Sequence, residues 1–154
     1  MPQRGEKRQN HKVKSVSTHL KEKEEKLQQI LARLAEEASN GTPIIVEGKK
    51  DTETLDTLCV RGKIVSAKSG GKSLLDVVSE VRSLGVREVV LLLDFDRRGK
   101  ELTARLRQLL EHEGVKPSTI LWAEIFGLVG KEVKDVEGLA SYMETLKRKL
   151  NGNS

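Results

Sequence analysis

Two apolar runs in this chain each end in a carboxylate, and that pairing constrains the fold more than any other feature. The first reads Ile44-Ile45-Val46-Glu47-Gly48-Lys49-Lys50-Asp51. The second reads Val89-Val90-Leu91-Leu92-Leu93-Asp94-Phe95-Asp96-Arg97-Arg98-Gly99. Short, continuous apolar runs suit strands buried on both faces. A carboxylate directly after such a strand is a poor packing choice, because a buried charge needs a partner or a metal. In a parallel sheet both strands would deliver Glu47, Asp94 and Asp96 to the same edge. That edge is where open α/β sheets place their ligand sites.

The sequence between and beyond the two runs alternates strand and helix patterns, which implies a parallel sheet with crossover helices. Strands are expected over 43–47, 63–67, 88–94 and 119–124, and helices over 51–60, 73–84, 99–113 and 135–150. The expected class is α/β, with a central four-stranded parallel sheet flanked by helices. Strand 88–94 is apolar through its middle, which predicts a central place. Before the first strand, Leu20, Leu27, Ile30, Leu31, Leu34 and Ala38 recur at three- and four-residue steps. They predict an amphipathic helix over 18–40, capped by Ser17 or Thr18 and stopped by Asn40-Gly41. Its apolar stripe can pack on the domain, the preferred reading, or on a partner chain, including a second copy. Residues 1–17 carry Arg4, Lys7, Arg8, Lys12 and Lys14 against Glu6 alone, and predict a flexible basic arm. Such an arm is either a nucleic-acid-binding tail or a solvated terminus.

Composition narrows the function classes. The formal net charge is +5, a modest excess compatible with an anionic polymer as partner. Aromatics make up 3% of the chain, so aliphatics must fill the core and base stacking is a weak candidate for recognition. Phosphate and shape recognition fit better. The single cysteine, Cys59, excludes an internal disulfide and points to a reducing, cytoplasmic compartment. No apolar run is long enough to span a bilayer, so no membrane role is expected. The start of the chain lacks an apolar signal core.

The acids suggest a divalent cation and phosphate chemistry. Asp94 and Asp96, two apart on a strand, would look into one cleft about 7 Å apart if the strand persisted that far. Mg²⁺ favours one or two carboxylates, several waters and substrate phosphates. Mn²⁺ is an alternative. Glu47 on the neighbouring strand is then placed for proton transfer. Gly48 would let the backbone turn sharply there. Lys49, Lys50, Arg97, Arg98 and Lys100 surround these acids with cations suited to a phosphodiester. The bland alternative is that Asp51 and Asp96 are ordinary helix caps.

Apolar strand-Glu-Gly-x-x-Asp, followed by apolar strand-Asp-x-Asp-x-x-Gly, resembles the Toprim domain. That domain is shared by topoisomerases, primases, OLD-family nucleases, RecR-type repair proteins and the ribonuclease that matures 5S ribosomal RNA. The opening Val46-Glu47-Gly48-Lys49-Lys50-Asp51-Thr52 is most similar to small stand-alone Toprim proteins of archaea and bacteria and to the 5S rRNA maturase. The resemblance implies a Toprim domain over 42–150. It implies Glu47 as general acid or base, Asp94 and Asp96 as Mg²⁺ ligands, Asp51 as a stabiliser of the following helix, and Gly99 as the turn into the next. Asp135 and Glu137 resemble a further acidic motif at the rim of the site, or simply cap the last helix. No zinc finger or tyrosine cleavage module is present, and Tyr142 falls within a helical pattern as a packing residue.

Other candidates are weaker. Ser69-Gly70-Gly71-Lys72-Ser73 resembles half of a phosphate-binding loop, but Ser66 stands where that motif needs glycine. Its amides, with Lys68 and Lys72, remain candidates for holding a backbone phosphate. His11, His19 and His112 show no metal-ligand spacing with Cys59 or each other. Cys59 is expected in the core, and Trp122 to pack in or beside strand four. Two functions follow. The first is a Mg²⁺-dependent nuclease, with structured RNA favoured over DNA. The alternative is a non-catalytic nucleic-acid-binding module for RNA processing, ribosome assembly or DNA repair.

Overall fold

The computed structural model describes residues 2–152, with side chains from Thr18 onward. Four short strands form one parallel sheet: β1 (Ile44–Val46), β2 (Ile64–Ser66), β3 (Glu88–Leu91) and β4 (Lys116–Ser118), in the order β2-β1-β3-β4. β1 and β3 are neighbours, with Ile44 opposite Val90 and Ile45 opposite Leu91. That pairing is what brings the two acidic motifs together.

Alternation along the strands sorts the core into two layers. Ile44, Val46, Val90 and Leu92 face one side, packed by α1 (Pro2–Ser39), α2 (Lys49–Thr57), α5 (Ile120–Val129) and α6 (Val136–Leu150). Ile45, Val89, Leu91 and Leu93 face the other, packed by α3 (Leu74–Ser83) and α4 (Arg97–His112). Leu91, Leu92 and Leu93 have no exposed surface, and each contributes about 1.5–3 kcal/mol by burial. Leu27, Ile30, Leu31, Leu34 and Ala38 of α1 are buried in the first layer, so this stripe packs on the domain itself. α1 begins at Pro2, so Ser17 and Thr18 lie inside it and do not cap it; the side chains of the basic arm expected over residues 1–17 lie outside the described residues.

Three further expectations need correction. Strand four is Lys116–Ser118, not 119–124, and the segment containing Trp122 is helix α5. Leu121, Ile125 and Val129 are buried at four-residue steps, a helical stripe that β-branched and aromatic neighbours mask. Strand β3 ends at Leu91, so Asp94 and Asp96 do not share a strand face. Cys59 is exposed, at φ 64°, directly beyond α2 rather than in the core. Tyr142 is half-buried against the first layer.

Candidate metal and phosphate site

β1 delivers Glu47 to the carboxyl edge of the sheet, where it is only 7% exposed. Its Oε2 accepts from the Asp94 N–H at 3.2 Å, and Lys68 Nζ lies 2.5 Å from Oε1. The Glu47 and Asp94 carboxyls are also hydrogen-bonded to each other. Burial raises the Asp94 carboxyl first, and the neighbouring Glu47, Asp51 and Asp135 add to it, pushing it up to about 8. Burial acts on Glu47 in the same sense. There Lys68, the Asp94 carboxyl and the Asp94 N–H outweigh it and hold Glu47 below its ordinary value. At neutral pH the pair is therefore one carboxylate and one carboxylic acid sharing a proton, with an ammonium on the outer oxygen.

The remaining acids are organised by helix starts. Asp51, 7% exposed, accepts from the Gly48 N–H at 2.9 Å at the start of α2. Burial raises its carboxyl, with Asp135, Glu47 and Glu137 contributing, against the lowering Gly48 bond. Asp96 caps α4, accepting from the Gly99 N–H at 2.8 Å, and is exposed. Asp135 caps α6 through the Gly138 N–H at 2.6 Å. The cap readings of Asp51 and Asp96 therefore hold alongside any further role. Gly48 is extended, at φ −127°, so no sharp turn demands glycine there. Gly99 is different: a Cβ there would overlap the Asp94 carbonyl oxygen. Only glycine lets α4 start this close to the Asp94 backbone.

Two hydrogen bonds hold the loop between β3 and α4 in place. The Phe95 N–H donates to Lys134 O at 2.6 Å, bringing the segment before α6 and its Asp135 to the site. Trp122 Nε1 donates to Leu93 O at 2.9 Å, and its ring stacks on Phe126. Sequence reasoning missed that Trp122 bond; a single tryptophan in an aromatic-poor chain was its only signal.

The predicted cations divide. Lys49, Lys50, Arg97, Arg98 and Lys100 are exposed around the carboxyl edge. Arg97 pairs with Glu101, and Lys100 lies 4.1 Å over the Phe126 ring. Lys68 is on Glu47 itself. Lys72 turns back to Ser66 O at 3.0 Å and Glu80 at 2.7 Å. Gly70 and Gly71 adopt φ near 70° in a single 3-10 turn between them. Among the described residues no three acid, histidine or cysteine side chains converge on a common point in metal-binding geometry. Among the described helices none is long and apolar enough to cross a membrane.

A parallel α/β sheet with its buried acids joined at the carboxyl edge, beside basic loops, defines a class of small acidic-site domains. The chain belongs to the Toprim family, whose domain matches residues 42–125. It is 40% identical over 120 residues to a UPF0292 protein of Methanocaldococcus jannaschii, covering 77% of this chain and 91% of that one. A UPF0292 protein of Methanosarcina barkeri is 35% identical over 125 residues, covering 81% and 85%. A solved structure of a protein from Aquifex aeolicus shares the fold, with TM-score 0.61 at 22% identity, over 72% of this chain and 95% of that one. Membership implies a nucleic-acid-related, metal-dependent role.

Proposed function

We propose that this protein is a Mg²⁺-dependent nuclease acting on nucleic-acid phosphodiesters, with structured RNA favoured over DNA. The observation that carries it is the Glu47–Asp94 pair. Two largely buried carboxyls sharing a proton, with a lysine on the open oxygen, hold in a proton and an ammonium the two positive charges of a divalent cation. The donor set therefore fits Mg²⁺, or Mn²⁺, once that proton and that lysine leave. Glu47 and Asp94 would hold it, with Asp96 as the further candidate ligand. When bound, the cation supplies Lewis-acid stabilisation of a phosphate oxygen.

The chain's own residues do the rest. Glu47 moves a proton to or from the attacking or leaving oxygen. Lys49, Lys50, Lys68, Lys72, Arg97, Arg98 and Lys100 are the candidates for holding backbone phosphates. The scarcity of aromatics favours a shape- and phosphate-read substrate, which is why structured RNA ranks above single strands.

A second reading is a non-catalytic nucleic-acid-binding module for RNA processing, ribosome assembly or DNA repair. The engagement of Asp96 as a helix cap and of Glu47 by Lys68 favours it. One experiment separates the two. The protein is incubated with Mg²⁺ or Mn²⁺ and end-labelled RNAs and DNAs, including a 5S rRNA precursor, beside Glu47→Gln. Under the nuclease reading wild type cleaves and Glu47→Gln loses about 10²–10⁴-fold in rate while still binding. Intact substrates with retained binding would leave the module reading. Equal cleavage by Glu47→Gln would sink the proton-transfer role.

A further inference from the structure

Lys68 stands where a phosphate and a divalent cation would both act on it. Its backbone N–H donates to Glu47 O at 3.0 Å, which fixes its Cα beside the end of β1. Its Nζ takes Glu47 Oε1, while Oε2 is held by the Asp94 N–H. Oε1 is thus the oxygen open to exchange, and the ammonium occupies it. The two partners differ sharply in exposure. Glu47 is 7% exposed, whereas the Lys68 side chain is 51% exposed. The carboxylate is fixed and the lysine can leave on its flexible four-carbon stem. Lys72 cannot replace it without giving up both Ser66 O and Glu80.

An ammonium and a divalent cation on one carboxylate oxygen repel each other strongly at such short range, so each weakens the hold of the other. A phosphate group beside the site offers the ammonium an equally good charged acceptor. We propose that Lys68 couples the two ligands: it holds Glu47 Oε1 until a phosphate draws it away, so that phosphate and cation bind cooperatively. This rests on the reading of Glu47 as part of a metal and phosphodiester site. Lys68 only exchanges ion-pair partners, and the proton held by the acid pair leaves to solvent when the cation binds. The coupling is reciprocal, so a bound cation releases Lys68 and raises the affinity for phosphate by the same factor.

The test is Mn²⁺ binding to the full chain, followed by electron paramagnetic resonance, with and without inorganic phosphate. It is run on wild type, Lys68→Met and Lys68→Gln, with folding of each checked by circular dichroism. In wild type, phosphate should tighten Mn²⁺ binding by about fivefold or more. Without phosphate, both variants should bind Mn²⁺ more tightly than wild type, and phosphate should then add markedly less. Variants with wild-type Mn²⁺ affinity in the absence of phosphate, or with the full phosphate enhancement, would overturn the coupling while leaving the metal site standing. Absence of Mn²⁺ binding in every protein, with and without phosphate, would overturn the site reading itself and the coupling with it.

Discussion

Asp94 is the residue on which the site's energetics turn, and its behaviour gives two predictions. Its carboxyl is pushed from 3.8 up to about 8 in the folded chain, chiefly by burial and by Glu47. Between those values the folded state holds a proton that the unfolded state has lost. Stability without metal therefore falls as pH rises through that window and levels off above pH 8. Denaturant unfolding at pH 5, 7 and 9 in the presence of a chelator should show this slope. Asp94→Asn should flatten it and be more stable than wild type at pH 8, where the wild-type carboxyl begins to ionise against its burial. A metal must displace the same proton. Mg²⁺ binding should thus release close to one proton at pH 7 and almost none at pH 9, read by calorimetry in buffers of different ionisation enthalpy. Proton release that does not change between the two pH values would overturn the raised Asp94 carboxyl. Asp94 could be read from sequence because a charge follows a fully apolar run. The role of Lys68 as the partner of Glu47 could not, because it depends on the β1–β2 register and on a loop with two left-handed glycines.

At the scale of elements, one device recurs: Asp51, Asp96 and Asp135 each close a helix start through the amide of a glycine three residues away, at Gly48, Gly99 and Gly138. Asp51 takes the amide before it, the other two the amide after. These caps separate structural from electrostatic roles. Asp135→Ala should cost about 1 kcal/mol in stability, whereas Asp135→Asn should keep the cap while removing a charge that bears on Asp51 and Asp94. Cation affinity falling in both, with stability falling only in the alanine variant, would place Asp135 electrostatically in the site. Gly99→Ala should cost about 1–3 kcal/mol through overpacking against Asp94 O, and weaken Mn²⁺ binding as the Asp94 backbone shifts. Apart from α5, which was read as a strand, the helices and three of the four strands were legible because their apolar periods are clean. The fourth strand was not. Lys116–Ser118 contains Pro117, which normally argues against a strand, but β4 lies at the sheet edge where a missing donor is tolerated. The Asp-x-Asp spacing misled for a related reason: the strand stops at Leu91, and the second acid becomes a cap instead of a strand neighbour.

On the scale of the whole molecule, the position of α1 links the basic sequence at the start of the chain to the site. α1 packs against α5 with Arg33 on Glu124, and Lys23 pairs with Glu132 just beyond that helix. Glu132 lies three residues before Asp135, so the Lys23 stretch of α1 lies towards the carboxyl edge, while Ala38 packs by Gly62 ahead of β2. The segment carrying Arg4, Lys7, Arg8, Lys12 and Lys14 precedes that stretch of α1 in the chain. The cations of that segment would engage further phosphates of a substrate lying on the site, and each phosphate neutralised releases a counterion. Deleting residues 1–17 should then weaken RNA binding and reduce the slope of log affinity against log salt by about 0.7–0.9 for each phosphate no longer engaged. Fluorescence anisotropy of a labelled hairpin across a salt series would measure both. Affinity should fall most at low salt, where screening is weakest, while Mn²⁺ affinity in the absence of RNA should not change, because the acid pair is built from the ends of β1 and β3. An unchanged salt slope would assign substrate binding to the cations of the loops and α4 alone. A loss of Mn²⁺ affinity would mean instead that the start of α1 supports the geometry of the site.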